Sequence, residues 1–122
     1  ILLPTAPFTT VSDIKDAYAI YNQNKFKCIM SVTETEHRAQ RSVTLSNQKL
    51  SPLFPKALKK KSQELEPTYR INGAVTIINI KAFLEEKSYF INPIGIIKMP
   101  KERSVDIDNE EDYEFAKYLS KK

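Results

Sequence analysis

Glycine is almost missing: Gly73 and Gly95 are the only two among 122 residues, against a usual share of about 7%. A glycine-rich loop cradling phosphate on its backbone amides therefore has no room inside these residues. One cysteine, Cys28, leaves no disulfide framework to build, and one histidine, His37, leaves no histidine-rich zinc site. No apolar run approaches the ~18 residues of a membrane span, which argues against a protein embedded in the bilayer. The net charge of +4, from 19 basic and 15 acidic residues, is spread through mixed-sign segments. That is too mild for a nucleic-acid footprint. The opening Ile1-Leu2-Leu3-Pro4 has no initiator methionine and no basic n-region. It reads as a short buried strand entered mid-protein, with further chain expected on its N-terminal side.

What is present alternates between helical and strand patterns. Thr10 followed by Asp13 predicts a capped helix, with Ile14, Ala17, Tyr18 and Tyr21 on its apolar stripe. Cys28 to Thr33 is a β-prone run suited to a covered strand, with Cys28 an inert buried thiol. Strand, helix and strand in this order suggest a βαβ unit. Ala74 to Ile78 and Ile94 to Ile97 predict further strands, and Lys81 to Glu85 a short helix between them. Val105 to Ile107 reads as extended. Asp108 is the expected cap of a last helix, with Glu111 at the capping-box position and Phe115, Tyr118 and Leu119 on its apolar side. The sum is one α/β domain over residues 1–122 with a mainly parallel sheet.

Residues 34–67 break the pattern. Three prolines and the basic group Lys56, Lys59, Lys60 and Lys61 interrupt them, and a hairpin is expected around Ser46-Asn47-Gln48. So long a poorly patterned stretch is an odd loop for a compact domain. It reads better as an excursion that packs on a partner subunit.

Several residues invite chemistry. Asp106 and Asp108 stand two apart in extended chain and so share a face, with alpha carbons roughly 6.6 Å apart. Two such carboxylates suit Mg²⁺ beside a phosphate, though a capping Asp108 and a solvated Asp106 are the commoner reading of such residues. Arg70, ahead of Asn72-Gly73, offers a fork for carboxylate or phosphate beside a turn. Lys98, Lys101 and Arg103 offer charge for a triphosphate or form a mixed surface loop. Tyr89 and Phe90 read as packing or as a ligand platform.

Order and wording add what single residues do not. Leu2 to Phe8, Ser31 to His37, Tyr69 to Ala74 and Met99 to Asp108 together closely resemble the acylneuraminate cytidylyltransferases, the CMP-sialic acid synthetases. Pro52 to Pro55 and Ser62 to Leu65 also look like that family. The resemblance implies a Rossmann-like nucleotidyltransferase fold lacking its first strand and loop, with residues 34–67 as a protruding dimerisation excursion. It implies a cytoplasmic, homodimeric transferase that couples CTP to a nonulosonic acid, giving CMP-sugar and pyrophosphate, with no nucleic-acid or membrane partner. Asp106 and Asp108 would hold Mg²⁺ and, with Arg70, form the catalytic set. Arg41, Lys61, Asn72, Gly73, Tyr89 and Phe90 would bind substrate. Leu3, Ser62 and Thr76 depart from the family's usual glutamine, arginine and tyrosine. A cytidylyltransferase for another keto-deoxy sugar acid, and a noncatalytic dimerisation module, are the alternatives. These residues alone are expected to turn over little.

Overall fold

The computed structural model describes residues 1–122, which divide into two compact units. The first comprises residues 1–33 and 71–122, and the second residues 34–70.

In the first unit, helix α1 spans Val11–Tyr21. Thr10 caps it through its side chain, and Asp13 returns a bond to the Thr10 backbone, closing the expected capping box. Ile14, Ala17, Ile20 and Tyr21 pack on the core, whereas Tyr18 faces solvent. The stripe is therefore one position off at that residue. Strand β1, Cys28–Glu34, is buried at every position but the last, as a central strand covered on both faces should be. Strand β5, Ile94–Lys98, runs parallel to β1 with Cys28 opposite Ile94 and Val32 opposite Lys98.

Strand β4, Tyr69–Ile78, lies on the other side of β1, giving the order β4-β1-β5. The Asn79 amide donates to Lys27 O, while Val75 faces Ser31. Rising numbers on one strand meet falling numbers on the other, so β4 is antiparallel. The sheet is mixed, where the sequence suggested a mainly parallel one. Ile1 exchanges two hydrogen bonds with Thr76 of β4. The opening segment thus runs beside β4 rather than β1, and the expected βαβ pair does not form. Ile1 to Leu3 are also exposed, not buried.

Helix α3, Ile80–Glu86, is capped by Asn79. Helix α4, Glu110–Leu119, is capped by Asn109 with Asp112 completing the box, one residue later than the predicted Asp108 and Glu111. Its Phe115 and Tyr118 face solvent, and Ala116 is its buried residue. Val105 to Ile107 forms no strand. Both glycines have a steric reason. A Cβ on Gly95 would stand 2.6 Å from Ile29 Cδ1 and 2.8 Å from Phe26. Gly73 has φ 71°, a left-handed conformation inside a strand.

In the second unit, β2 (Val43–Ser46) and β3 (Lys49–Pro52) form an antiparallel hairpin. Asn47 and Gln48 both have positive φ, the type I′ geometry that suits a two-residue turn. A one-turn helix α2, Pro55–Leu58, follows with proline in its first turn. Thr35 and Thr68 close the base of the unit through their backbone and hydroxyls.

Candidate active site

In a sheet with parallel strands, ligands bind beyond the strands' carboxyl ends. At that end of β1 and β5 the chain leaves Lys98 and reaches Asp106 through one short turn, Lys101–Arg103. Four bonds pin this segment. The Met99 amide donates to Val32 O at 2.8 Å, and the Ile107 amide to Thr5 O at 2.9 Å. Ser104 Oγ donates to Pro100 O at 2.8 Å and accepts from Asn72 Nδ2 at 2.8 Å.

Asp106 sits between two of these anchors, half-buried, and its Oδ1 is buried without a hydrogen-bond partner. Asp108 is exposed, and its backbone amide is taken up by Asp112. Thr33, at the end of β1, also has a buried hydroxyl with no partner. Polar atoms removed from water without partners are costly, so each of these marks a place that a ligand can satisfy. Nothing in the residue pattern singled out Thr33; its signal is the missing partner.

Arg103 does not point to a ligand. Both guanidinium nitrogens engage the Asp13 carboxylate, Nη2 at 3.0 Å, and Nη1 also reaches Phe8 O. The pair ties the start of α1 to the Asp106 segment. The Arg103 guanidinium and the Thr10 bonds hold the Asp13 carboxyl down at about 2, against an opposing push from burial. Asn72 is 2% exposed and spends its whole amide internally, on Ser31, Ala74, Ser104 and Met99. Gly73 is half-buried beside Leu3. Tyr89 and Phe90 follow α3, with Tyr89 stacked on Phe83 at 5.1 Å. They precede β5, so they lie at the opposite end of the sheet from Asp106 and are not gathered with it.

The remaining predicted residues belong to the second unit. Arg41 is exposed, and its Nη2 donates to Lys60 O at 2.5 Å, which brings it to the basic run containing Lys61. The Lys61 amide donates to Glu64 at the start of a short turn, leaving its side chain exposed. Arg70, on β4, is exposed. The residues expected at the site thus fall in two groups: Asn72, Gly73 and Asp106 in one unit, Arg41 and Lys61 in the other. Cys28 is fully buried, and burial pushes its thiol up.

No family model matches the chain. A pseudaminic acid cytidylyltransferase of Campylobacter jejuni is 35% identical over 121 residues, which are 98% of this chain and 52% of the relative. An N-acylneuraminate cytidylyltransferase of Streptococcus agalactiae is 32% identical over 93% of the chain and 28% of its own length. One from Escherichia coli is 30% identical over 123 residues, 100% of the chain and 29% of the relative. The chain is a homologue of these cytidylyltransferases. It spans about half the length of the Campylobacter relative. The match runs through both units. No helix is long and apolar enough to cross a membrane.

Proposed function

We propose that the whole protein is a cytoplasmic nucleotidyltransferase of Rossmann-like fold that joins CTP to a nonulosonic acid, releasing pyrophosphate. In this reaction the sugar's anomeric oxygen bonds to the α-phosphorus of CTP as the bond to the β-phosphate oxygen breaks. The proton of the anomeric hydroxyl leaves to solvent or to a base. The observation that carries the reading is Asp106: a carboxylate oxygen buried without a donor, at the strand end where α/β folds bind ligands.

Mg²⁺ fits these residues. Hard carboxylate oxygens are its usual protein ligands, and it takes one or two of them together with phosphate oxygens and water. Asp106 and Asp108 would hold it, and the ion would supply compensation for charge building on the phosphates. Asp106 and Asp108 would hold the ion from a segment anchored at Ser104 and Ile107. Arg70, exposed in the second unit, offers a guanidinium for phosphate or a sugar carboxylate. In the second unit, Arg41 and Lys61 form a basic edge suited to a sugar carboxylate.

The same unit supports a homodimer. Leu45, Leu50, Leu53 and Phe54 are exposed, Leu45 by 76%. Apolar groups left this open in so small a unit favour burial against a second copy. The basic edge would then serve the neighbouring subunit's sugar.

The test is turnover of the full-length protein with CTP, Mg²⁺ and a panel of nonulosonic acids, followed by pyrophosphate release. Asp106→Asn is expected to slow it at least about 100-fold, as removal of a charge-stabilising group does, with the fold unchanged. Wild-type rates in both Asp106→Asn and Asp108→Asn overturn the assignment.

A further inference from the structure

The Asn72 side chain is the hub of a directed polar chain. The Val75 amide donates to Ser31 Oγ at 2.8 Å, and Ser31 Oγ donates to Asn72 Oδ1. Asn72 Nδ2 then donates to Ser104 Oγ at 2.8 Å, and Ser104 Oγ donates to Pro100 O. Ser31 Oγ also lies 3.2 Å from Val75 O, so it bridges the Val75 backbone and the Asn72 amide. The amide's orientation is not free either. The Ala74 amide can only donate, and it points at Asn72 Oδ1 at 3.3 Å. Nδ2 is therefore turned toward Ser104 and Met99 Sδ. The left-handed Gly73 directly after Asn72 breaks the regular strand geometry beside this inward-facing amide.

The far end of this chain is the segment that carries Asp106. Ser104 is two residues ahead of it, and Asn72 and Ser104 are both 2% exposed. A carboxylate oxygen buried without a donor does not hold itself in place, because hydration would draw it outward. Something in the backbone on either side must resist that pull. On one side it is Ile107 on Thr5; on the other it is Ser104 on Asn72.

We propose that Asn72 is a positioning residue: through the Ser104 hydroxyl its amide sets where the Asp106 carboxylate stands for a divalent cation. The inference rests on the carboxylate reading given under Proposed function. It assigns Asn72 a role that does not require contact with substrate. Aspartate at this position has no N–H to give Ser104 and buries a charge. Leucine leaves Ser31 and Ser104 without their partner.

The probe is Mn²⁺ alone, titrated into the full-length protein and read by paramagnetic broadening of the amide signals near Asp106. Ser104→Ala removes the link and is expected to weaken Mn²⁺ binding about tenfold, the scale on which outer partners tune a metal site. Ser104→Thr keeps the hydroxyl and is expected to bind as wild type. Gly95→Ala, which strains the core beside Ile29, is expected to lower stability and leave Mn²⁺ affinity unchanged. A structural role alone would not separate these variants. Should Ser104→Ala fail to fold, Ser104→Cys provides a weaker donor and acceptor in the same place, with a several-fold loss expected. Wild-type affinity in Ser104→Ala or Ser104→Cys, with affinity lost in Asp106→Asn, overturns the positioning role and leaves the carboxylate reading standing. Equal affinity in wild type and Asp106→Asn overturns both.

Discussion

The two units spend their apolar residues in opposite ways. In the first, Ile29, Val75, Ile97 and Met99 gather with Ala6, Ala17 and Ala74 into a closed core under α1. In the second, Leu65 is the one buried residue, and both strands of the hairpin lie open. The first unit closes a core even though Ile1, Ile80, Leu84 and Phe115 stay exposed; the second is built with too little interior to account for its leucines. A hairpin alone is marginal in water, and in the homodimer proposed above this surface would be half of the interface. The largest expected effect follows. Leu45→Glu combined with Leu50→Glu should convert a dimer of the full-length protein to monomer in sedimentation. The melting of the first unit should be unmoved. An unchanged dimer shows that the contact lies elsewhere and removes the contrast.

Inside the first unit the closest approach is at Gly95. Its missing Cβ is what lets Ile29 and Phe26 meet the strand, so Gly95→Ala is expected to cost about 1–3 kcal/mol of overpacking strain in urea denaturation. A loss below about 0.5 kcal/mol shows that Ile29 and Phe26 shift freely, and that this core is looser than its burial implies.

Asp13 gives the same unit a pH signature. Its carboxyl titrates at about 2 in the folded chain, down from 3.8, chiefly because of Arg103. A depressed folded value means that the folded state favours the ionised form. The stabilisation is fully present above the unfolded value near 3.8 and disappears as pH falls through about 2. It amounts to about 2 kcal/mol at neutral pH. Asp13→Asn should remove most of that at pH 7 and little at pH 2, as read by urea midpoints. A penalty equal at both pH values shows that packing, not charge, makes the contact matter.

How far the sequence foretold this depends on how far apart the partners lie. The α1 capping box needs Thr10 and Asp13, and the hairpin turn needs four consecutive residues, so both were readable. The last cap slipped from Asp108 to Asn109 because Asp-Asn-Glu-Glu-Asp offers several caps within one turn. The antiparallel β4 was not readable, since its pairing joins residues such as Ser31 and Val75, 44 positions apart. The same holds for the site. The Asp106 and Asp108 spacing is local and was noticed. Arg103 read as a surface cation because Asp13 is 90 positions away, and the Asn72 hub needs partners 41 and 32 positions distant. Tyr89 and Phe90 looked like pocket residues by wording, but the order of α3 and β5 sets them at the other end of the sheet.

The two arginine–carboxylate pairs repeat the contrast between units at the smallest scale. Arg38 reaches Glu34 at 2.7 Å, one helical turn's spacing away, but the Glu34 side chain is 44% exposed. The Asp13 side chain is 7% exposed and takes further bonds from Thr10. Water screens the first pair and competes for its hydrogen bond, whereas the second is held by groups that water does not displace. Arg38→Ala should therefore change stability by less than about 0.5 kcal/mol, and 0.5 M salt should remove what remains. Arg103→Ala should cost several times more and respond weakly to salt, because it leaves Asp13 buried without its main partner. Equal penalties in the two variants, measured in the same urea series, would mean that burial does not set the worth of these pairs.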